Sequence, residues 1–274
     1  MKKQNGIIFV GKKLLLISTF ILIFFTACND NSNAKNGLTK IVVGATPVPH
    51  AEILEVIKPL LKEQGYELEI KIFNDYVIPN KVTNSGEIDA NFFQHLPYML
   101  KFNEQQKTNL VGVVAVHLEP MGIYSKKIKS LDDLKEGDSV AIPNDPTNTE
   151  RALDVLEVAG LIKTEDAEFK TKLNIIENPK NLKITELEVA QLPRVLADFT
   201  IAVINTNYAL PAGLNPNSDT LAIESKESPY ANFLVVKAGK ENSEKIEALK
   251  KALTSDIVKS FILEKYKGAI LPAF

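Results

Sequence analysis

Cys28 is the only cysteine in the 274 residues, so no intrachain disulfide can hold the fold. His50, His95 and His117 form no HxH or HExxH pair, and with no second cysteine beside them no metal site is expected. The chain has no GxSxG, no Walker-type glycine loop and no paired-carboxylate motif, which leaves an enzyme without an anchor in the sequence. A basic surplus is also missing. With 32 Lys+Arg against 34 Asp+Glu the formal net charge is −2, giving no argument for nucleic acid or anionic lipid as a partner.

The composition, 45% hydrophobic and 24% charged, is that of a globular protein long enough for one large or two medium domains. Residues 1–27 carry Lys2, Lys3, Lys12 and Lys13 and no acid, and 14–25 are apolar except Ser18 and Thr19. That run is shorter than the roughly 20 residues a bilayer span needs, so a processed signal peptide is expected over 1–27. It ends in Phe25-Thr26-Ala27-Cys28, which resembles a bacterial lipobox with Phe in place of the usual Leu. Cys28 is therefore the expected lipidation site. Loss of the four leader lysines would take the net charge from −2 to −6 over 247 remaining residues. Residues 28–39 follow as a flexible tether, polar and small through NDNSNAKNG, and several acyl chains on Cys28 would anchor the body stably to a membrane.

Beyond the tether, KIVVGATPVPHAEILEVIKPLLKEQGYELEIKIF reads as a strand, a loop, a helix and a second strand. Ile41, Val42 and Val43 suit a strand buried on both faces. Thr46 or a neighbour is expected to cap a helix whose buried face carries Ile53, Leu54, Ile57, Leu60 and Leu61, with Gly65 as its stop. The same grammar returns in DSVAIPNDPTNTERALDVLEVAGLI, and GEIDANFF and ADFTIAVIN each place an acid before a strand with a polar end. This predicts two similar α/β lobes. Residues 40–119 with 230–274 would form the first and 120–229 the second, the two crossings forming a hinge with a cleft at the strand ends.

Thr147-Asn148-Thr149-Glu150 has the pattern of a capping box, and Arg151 after it is a cation near the positive end of a helix dipole. Either the guanidinium is solvated, or it joins backbone donors on a ligand carboxylate. Asn205, Asn207 and Asn232 offer amide oxygens to an ammonium. DANFFQHLPYM, at 89–99, offers an aromatic wall whose rings suit a thioether, with Phe92 packing the lobe and Phe93 meeting the ligand by strand alternation.

VGATPVPHAEIL, FNDYVIPN, IDANFFQHLPY, EPMGIYS, IPNDPTNTERAL, LPRVLADFTIAVINTNYA and ESKESPYAN together resemble the NlpA family of lipoproteins, in its methionine-binding type, over nearly all of 40–274. The resemblance implies a two-lobed periplasmic-binding-protein fold of type 2 and a methionine held between the lobes for an ABC permease and its ATPase. It also implies a monomer without cofactor, lipid-anchored and facing the periplasm or cell exterior. Carried over position by position, the pocket would take Tyr76, Phe93, His95, Tyr98, Asn148, Arg151, Asn205 and Asn232. L-methionine is the first expectation; D-methionine and a methionyl dipeptide stay open. A metal receptor, an enzyme using His95 as general base and an adhesin are the rival classes.

Overall fold

The computed structural model describes residues 37–225 and 227–274. Cys28, the expected signal segment and most of the expected tether lie outside the described residues, and no helix within them is long and apolar enough to cross a membrane.

The first half begins with β1 (Thr39–Ala45), α1 (Glu52–Glu63), β2 (Tyr66–Ile72) and α2 (Ile78–Ser85). It continues with β3 (Ala90–His95), α3 (Leu96–Gln106) and β4 (Leu110–Leu118). After residues 119–121 come β5 (Gly122–Tyr124), β6 (Ser139–Pro143), α4 (Pro146–Val158), and the pair β7 (Lys163–Thr164) and β8 (Ile175–Glu177). Next are β9 (Lys183–Leu187), α5 (Leu192–Val195), β10 (Ile201–Ile204), α6 (Thr206–Ala209) and β11 (Thr220–Ile223). The chain closes with β12 (Ala231–Lys237), α7 (Glu244–Leu253), α8 (Asp256–Tyr266) and β13 (Leu271–Pro272).

These strands form two main sheets. One runs β13-β4-β12-β3-β1-β2 and the other β11-β5-β10-β6-β9, with β7-β8 apart. Strand β1 is parallel to both β2 and β3, as the helical link between them requires. Strand β6 is likewise parallel to β9 and β10. The β6 core is an apolar run buried on two faces, with Val140 to Ile142 fully buried, whereas in β1 Ile41 and Val43 are fully buried on one face and Val42 is half-buried on the other.

Helix α1 lays Ile53, Leu54, Ile57 and Leu61 onto the first sheet, and α7 and α8 add Leu249, Leu253, Val258 and Ile262 to the same core. Helix α4 packs Ala152, Leu153, Val155 and Leu156 against the second sheet. The chain passes from the first sheet to the second at 119–121 and returns at 224–230, between β11 and β12. Its return strand inserts between β3 and β4 as their antiparallel neighbour.

Thr46 takes the N-cap position of the turn Pro47–Ala51 with Pro after it, as expected, whereas the expected start of α4 is overturned. The Thr46 side chain makes no capping hydrogen bond; its hydroxyl is spent on His50 Nδ1 at 2.7 Å. At α4 the cap is Asp145, whose Oδ1 accepts from the Asn148 backbone N–H at 3.0 Å. Pro146 has no N–H to satisfy and a φ suited to the first helical position, so the helix begins two residues earlier than a Thr147 cap would allow. Thr147 instead donates its hydroxyl to Asp145 Oδ1 at 3.1 Å.

The crossing into the second sheet is tightly packed. A Cβ on Gly122 would stand 2.6 Å from Thr220 Cγ2 and 3.0 Å from the Tyr124 ring, so either β11 or a fully buried ring must yield. Gly122→Ala is expected to cost about 1–3 kcal/mol of stability. Urea unfolding would show this as a lowered midpoint, and an unchanged midpoint would mean that the edge strand gives way freely.

Candidate functional site

Each sheet sends strand ends toward the same small cavity, of about 20 Å³. Its wall contains Tyr76, Phe93, His95, Tyr98, Asn148, Arg151, Asn205 and Asn232, together with Gln94, Glu119, Thr206 and Asn207. All eight residues expected from the sequence are therefore brought together. The sequence did not mark Glu119, Gln94 and Thr206, and Asn207 was read only as an amide acceptor outside the carried-over pocket. Glu119 stood inside the EPMGIYS motif, but a lone acid at a strand end carries no local mark of its partners.

The apolar wall comes from β3 and its flanks. Phe92 is fully buried in the core of the first sheet, while Phe93, one residue on, faces the cavity. Tyr76 lies 5.6 Å from Phe93 and 5.7 Å from Tyr98 between ring centroids, the second pair edge to face, within the range of favourable aromatic packing. Burial pushes the phenol pKa of both tyrosines up, so they stay neutral hydrogen-bonding groups. Below this wall Asn80, Asn91, Gln94 and Thr83 bond one another through buried side chains, which fixes the Gln94 amide.

The two halves touch through hydrogen bonds across the cleft. Tyr76 donates its hydroxyl to Asn207 Oδ1 at 2.7 Å, and Tyr208 donates to the Asn74 carbonyl at 2.9 Å. His95 Nδ1 accepts from the Tyr98 backbone N–H at 3.1 Å, so its proton sits on Nε2 and points at Asn148 Oδ1, 3.3 Å away. Burial, then the Arg151 charge, lowers the His95 pKa to about 3. The ring is neutral, and its role is that of a fixed donor.

Asn148 is fully engaged. Its Oδ1 accepts from His95 and from Asn205 Nδ2 at 2.9 Å, and its Nδ2 donates to both Asp145 oxygens. Burial raises the Asp145 pKa against these bonds.

Arg151 is neither in the first helical turn nor solvated; it is 3% exposed. Its Nε donates to Glu224 Oε1 at 2.9 Å, and its Nη2 to Glu224 Oε2 at 2.5 Å and to the Glu119 carbonyl at 2.7 Å. The Tyr230 ring lies 4.4 Å from the guanidinium carbon, in cation–π range. Glu119 and Glu224 belong to the two chain crossings, so one guanidinium ties both together. No side chain or carbonyl among the described residues accepts from Nη1, which leaves two charged donors for the cavity.

Two further polar atoms there are buried without a partner: Asn205 Oδ1, an acceptor, and Asn207 Nδ2, a donor. Each costs on the order of 1–3 kcal/mol if left so. A zwitterion would satisfy both kinds, its carboxylate at the donors and its ammonium at the acceptor.

Behind the cavity His50, His117 and Glu119 place their ligand-forming atoms within 4.8 Å of one another. The wide sequence spacing of the two histidines thus hid a close pair, 4.9 Å between ring centroids. The three could offer a metal two nitrogens and an oxygen, although His50 and Glu119 are already engaged in hydrogen bonds. Burial lowers the His50 pKa to about 4 and that of His117 to about 3. With both rings neutral, neither forms an ion pair with Glu119 Oε1: His117 hydrogen-bonds it at 2.6 Å, and His50, bonded to Asn232, lies 3.2 Å from it.

Two α/β lobes linked by two crossings, and closed on a cleft that offers ring faces on one side and charged donors on the other, define a two-lobed substrate-binding protein. The sequence pattern of the NlpA lipoprotein family matches residues 41–274, and the chain belongs to that family. It is 43% identical over 273 residues to the methionine-binding lipoprotein MetQ of Bacillus subtilis, covering 95% of this chain and 98% of the relative. It is 45% identical over 223 residues to the D-methionine-binding lipoprotein MetQ of Salmonella typhi, covering 80% and 81%. A nutrient-binding protein of Burkholderia cenocepacia solved with bound methionine superposes with a TM-score of 0.83 at 44% identity, covering 85% of this chain and all of that one.

Proposed function

We propose that this protein captures methionine, L-methionine first, between its lobes and delivers it to an ABC importer. The observation that carries this reading is the pairing, in one cavity, of the free Arg151 and Asn207 donors and the Asn205 acceptor with the Tyr76, Phe93 and Tyr98 rings. The main-chain end of an amino acid meets the first set. A thioether side chain meets the second, where sulfur against ring edges contributes about 0.3–1.5 kcal/mol. The named relatives add support for methionine as the ligand.

In this reading residues 40–119 with 230–274 form one lobe and 120–229 the other, and Phe93, His95, Tyr98 and Tyr76 bind from the first. Arg151, Asn148 and Asn205 bind from the second, and Asn232 from the return strand. Ligand bridging the lobes favours the closed state by differential contact. The protein acts as a receptor without turnover, a monomer held to the membrane through lipid on Cys28 and facing outward. Its partners are the permease and ATPase of the importer.

A melting screen of the purified protein, stripped of co-purified ligand, tests binding and ligand choice together. At 100 times its dissociation constant a ligand should add about 2.7 kcal/mol, and for a chain of this size each kcal/mol raises the melting temperature by roughly 2–4 °C. L-methionine is expected to give the largest shift, ahead of D-methionine and methionyl dipeptides. No shift with any of them would overturn the reading.

A further inference from the structure

The cavity's hydrogen bonds account for a carboxylate more fully than for an ammonium. Arg151 Nη1 and Asn207 Nδ2 are donors, whereas the only unpartnered buried acceptor there is the neutral Asn205 Oδ1. One amide oxygen leaves most of an ammonium's three donors unmet. Glu119 is the one carboxylate in the cavity wall, and the groups around it decide what it can do.

The tautomers of the two histidines behind it follow from their neighbours. His50 Nε2 faces two oxygens, Asn232 Oδ1 at 3.1 Å and Glu119 Oε1 at 3.2 Å. A bare nitrogen lone pair there would meet lone pairs on both, so Nε2 carries the proton and the Thr46 hydroxyl donates to Nδ1 at 2.7 Å. His117 Nδ1 is buried without a partner. An unmatched N–H is the costlier orphan, so the His117 proton also sits on Nε2, 2.6 Å from Glu119 Oε1.

His117 therefore donates into Glu119 Oε1, while the His50 Nε2–H donates to Asn232 Oδ1 and stands 3.2 Å from the same carboxylate oxygen. Among the described residues no side chain donates to Oε2; the Asn207 backbone N–H approaches the carboxylate, which lines the cavity. The rings hold the side chain in place, and burial raises its pKa while the Arg151 charge nearby acts against that rise.

We infer that Glu119 is the specificity-determining residue that recognises the ligand's ammonium, with His50 and His117 as positioning residues that aim its carboxylate into the cleft. This rests on the reading of the cleft as an amino-acid site, and it adds a requirement: a ligand without a free ammonium is rejected at Glu119, whatever its side chain. His50 also joins Glu119 to Asn232, so the acceptors on the two sides of the crossing are set by one ring.

The test is an affinity cycle by calorimetry, using the whole protein and its Glu119→Gln variant against L-methionine and its deaminated analogue, 4-(methylthio)butanoate. In the unaltered protein methionine should bind at least about 30-fold tighter than the analogue. In Glu119→Gln, which keeps the shape and an acceptor for the His117 imidazole, that ratio should shrink at least tenfold. A ratio that stays the same, or an unaltered protein that binds both ligands equally, would overturn the inference while leaving methionine capture standing. Failure of the unaltered protein to bind methionine at all would instead sink the functional reading.

If Glu119→Gln does not fold, Glu119→Asp withdraws the carboxylate by one methylene and should narrow the ratio at least threefold; an unchanged ratio counts against Glu119. For the positioning role, His117→Gln retains a donor and should keep the methionine preference that His117→Leu loses. Equal preference in both variants would remove His117 from the role. Elemental analysis adds one more outcome: about one zinc per chain would make Glu119 a metal ligand and overturn the inference.

Discussion

Replacing Arg151 by alanine is expected to weaken methionine binding by about a hundredfold or more, close to 3 kcal/mol, and to lower the melting temperature of the ligand-free protein as well. The first effect follows from the loss of the Nη1 donors that face the cavity. Truncating a buried, charge-assisted hydrogen-bonding partner costs about 2–5 kcal/mol because the group left behind stays unpaired, and here that group is the ligand carboxylate.

The second effect follows from what else the guanidinium holds. Its Nε and Nη2 pair with Glu224 and with the Glu119 carbonyl, so the variant leaves a carboxylate that is 11% exposed without its cation. A purely ligand-binding arginine would have left the free protein untouched. Glu224→Gln separates the two losses. It removes the charge partner but keeps Arg151 on the Glu119 carbonyl and the Tyr230 ring, so stability should fall while methionine affinity stays within about tenfold. Calorimetric titration and ligand-free melts of both variants check this. If Arg151→Ala binds methionine normally, the carboxylate is read elsewhere.

Arg151 also shows where sequence reading stops. The strands β1, β3, β6 and β10 and the buried faces of α1 and α4 were legible because burial repeats at fixed periods along a single stretch of chain. The division between Phe92 and Phe93 was legible for the same reason. The Arg151–Glu224 pair spans 73 residues and the His50–Asn232 bond 182; no periodicity records such distances. The helix start at Asp145 was hidden by a competitor, since Thr147 to Glu150 fits a capping box by spacing alone and only Pro146 decides against it. The surroundings of Glu119 were invisible because the two rings beside it come from other parts of the fold or strand. Local grammar specified the scaffold, and the polar chemistry of the cleft was specified by pairs that meet only after folding.

The histidines carry a second large effect, in acid. All three are buried and neutral, His50 with its pKa lowered to about 4 and His95 and His117 to about 3. In the unfolded chain each would take a proton near pH 6.5. Above that value their contribution is fully present. As pH falls below it, the unfolded chain binds protons that the native protein refuses, and stability drops by up to about 1.4 kcal/mol per pH unit for each ring until its native pKa is reached. Between pH 7 and pH 5 this amounts to roughly 2 kcal/mol per histidine.

Buried Glu119 and Asp145 act in the opposite sense. Their pKa values are raised by burial, so the native state gains protons there before the unfolded chain does and part of the loss is returned. The net expectation is a clear fall in unfolding free energy from pH 7 to pH 5, read by urea titration, while the imidazole NMR signals of the native protein stay unshifted down to pH 5. A histidine titrating near pH 6.5 in the native state would break the argument at its first step. The consequence reaches the cleft, because a proton on His95 would put a second cation beside Arg151, and one on His50 or His117 would place a cation against Glu119 that competes for the same carboxylate. Neutral rings keep the arginine and the glutamate available to a ligand, and the burial that keeps them neutral makes the fold sensitive to acid.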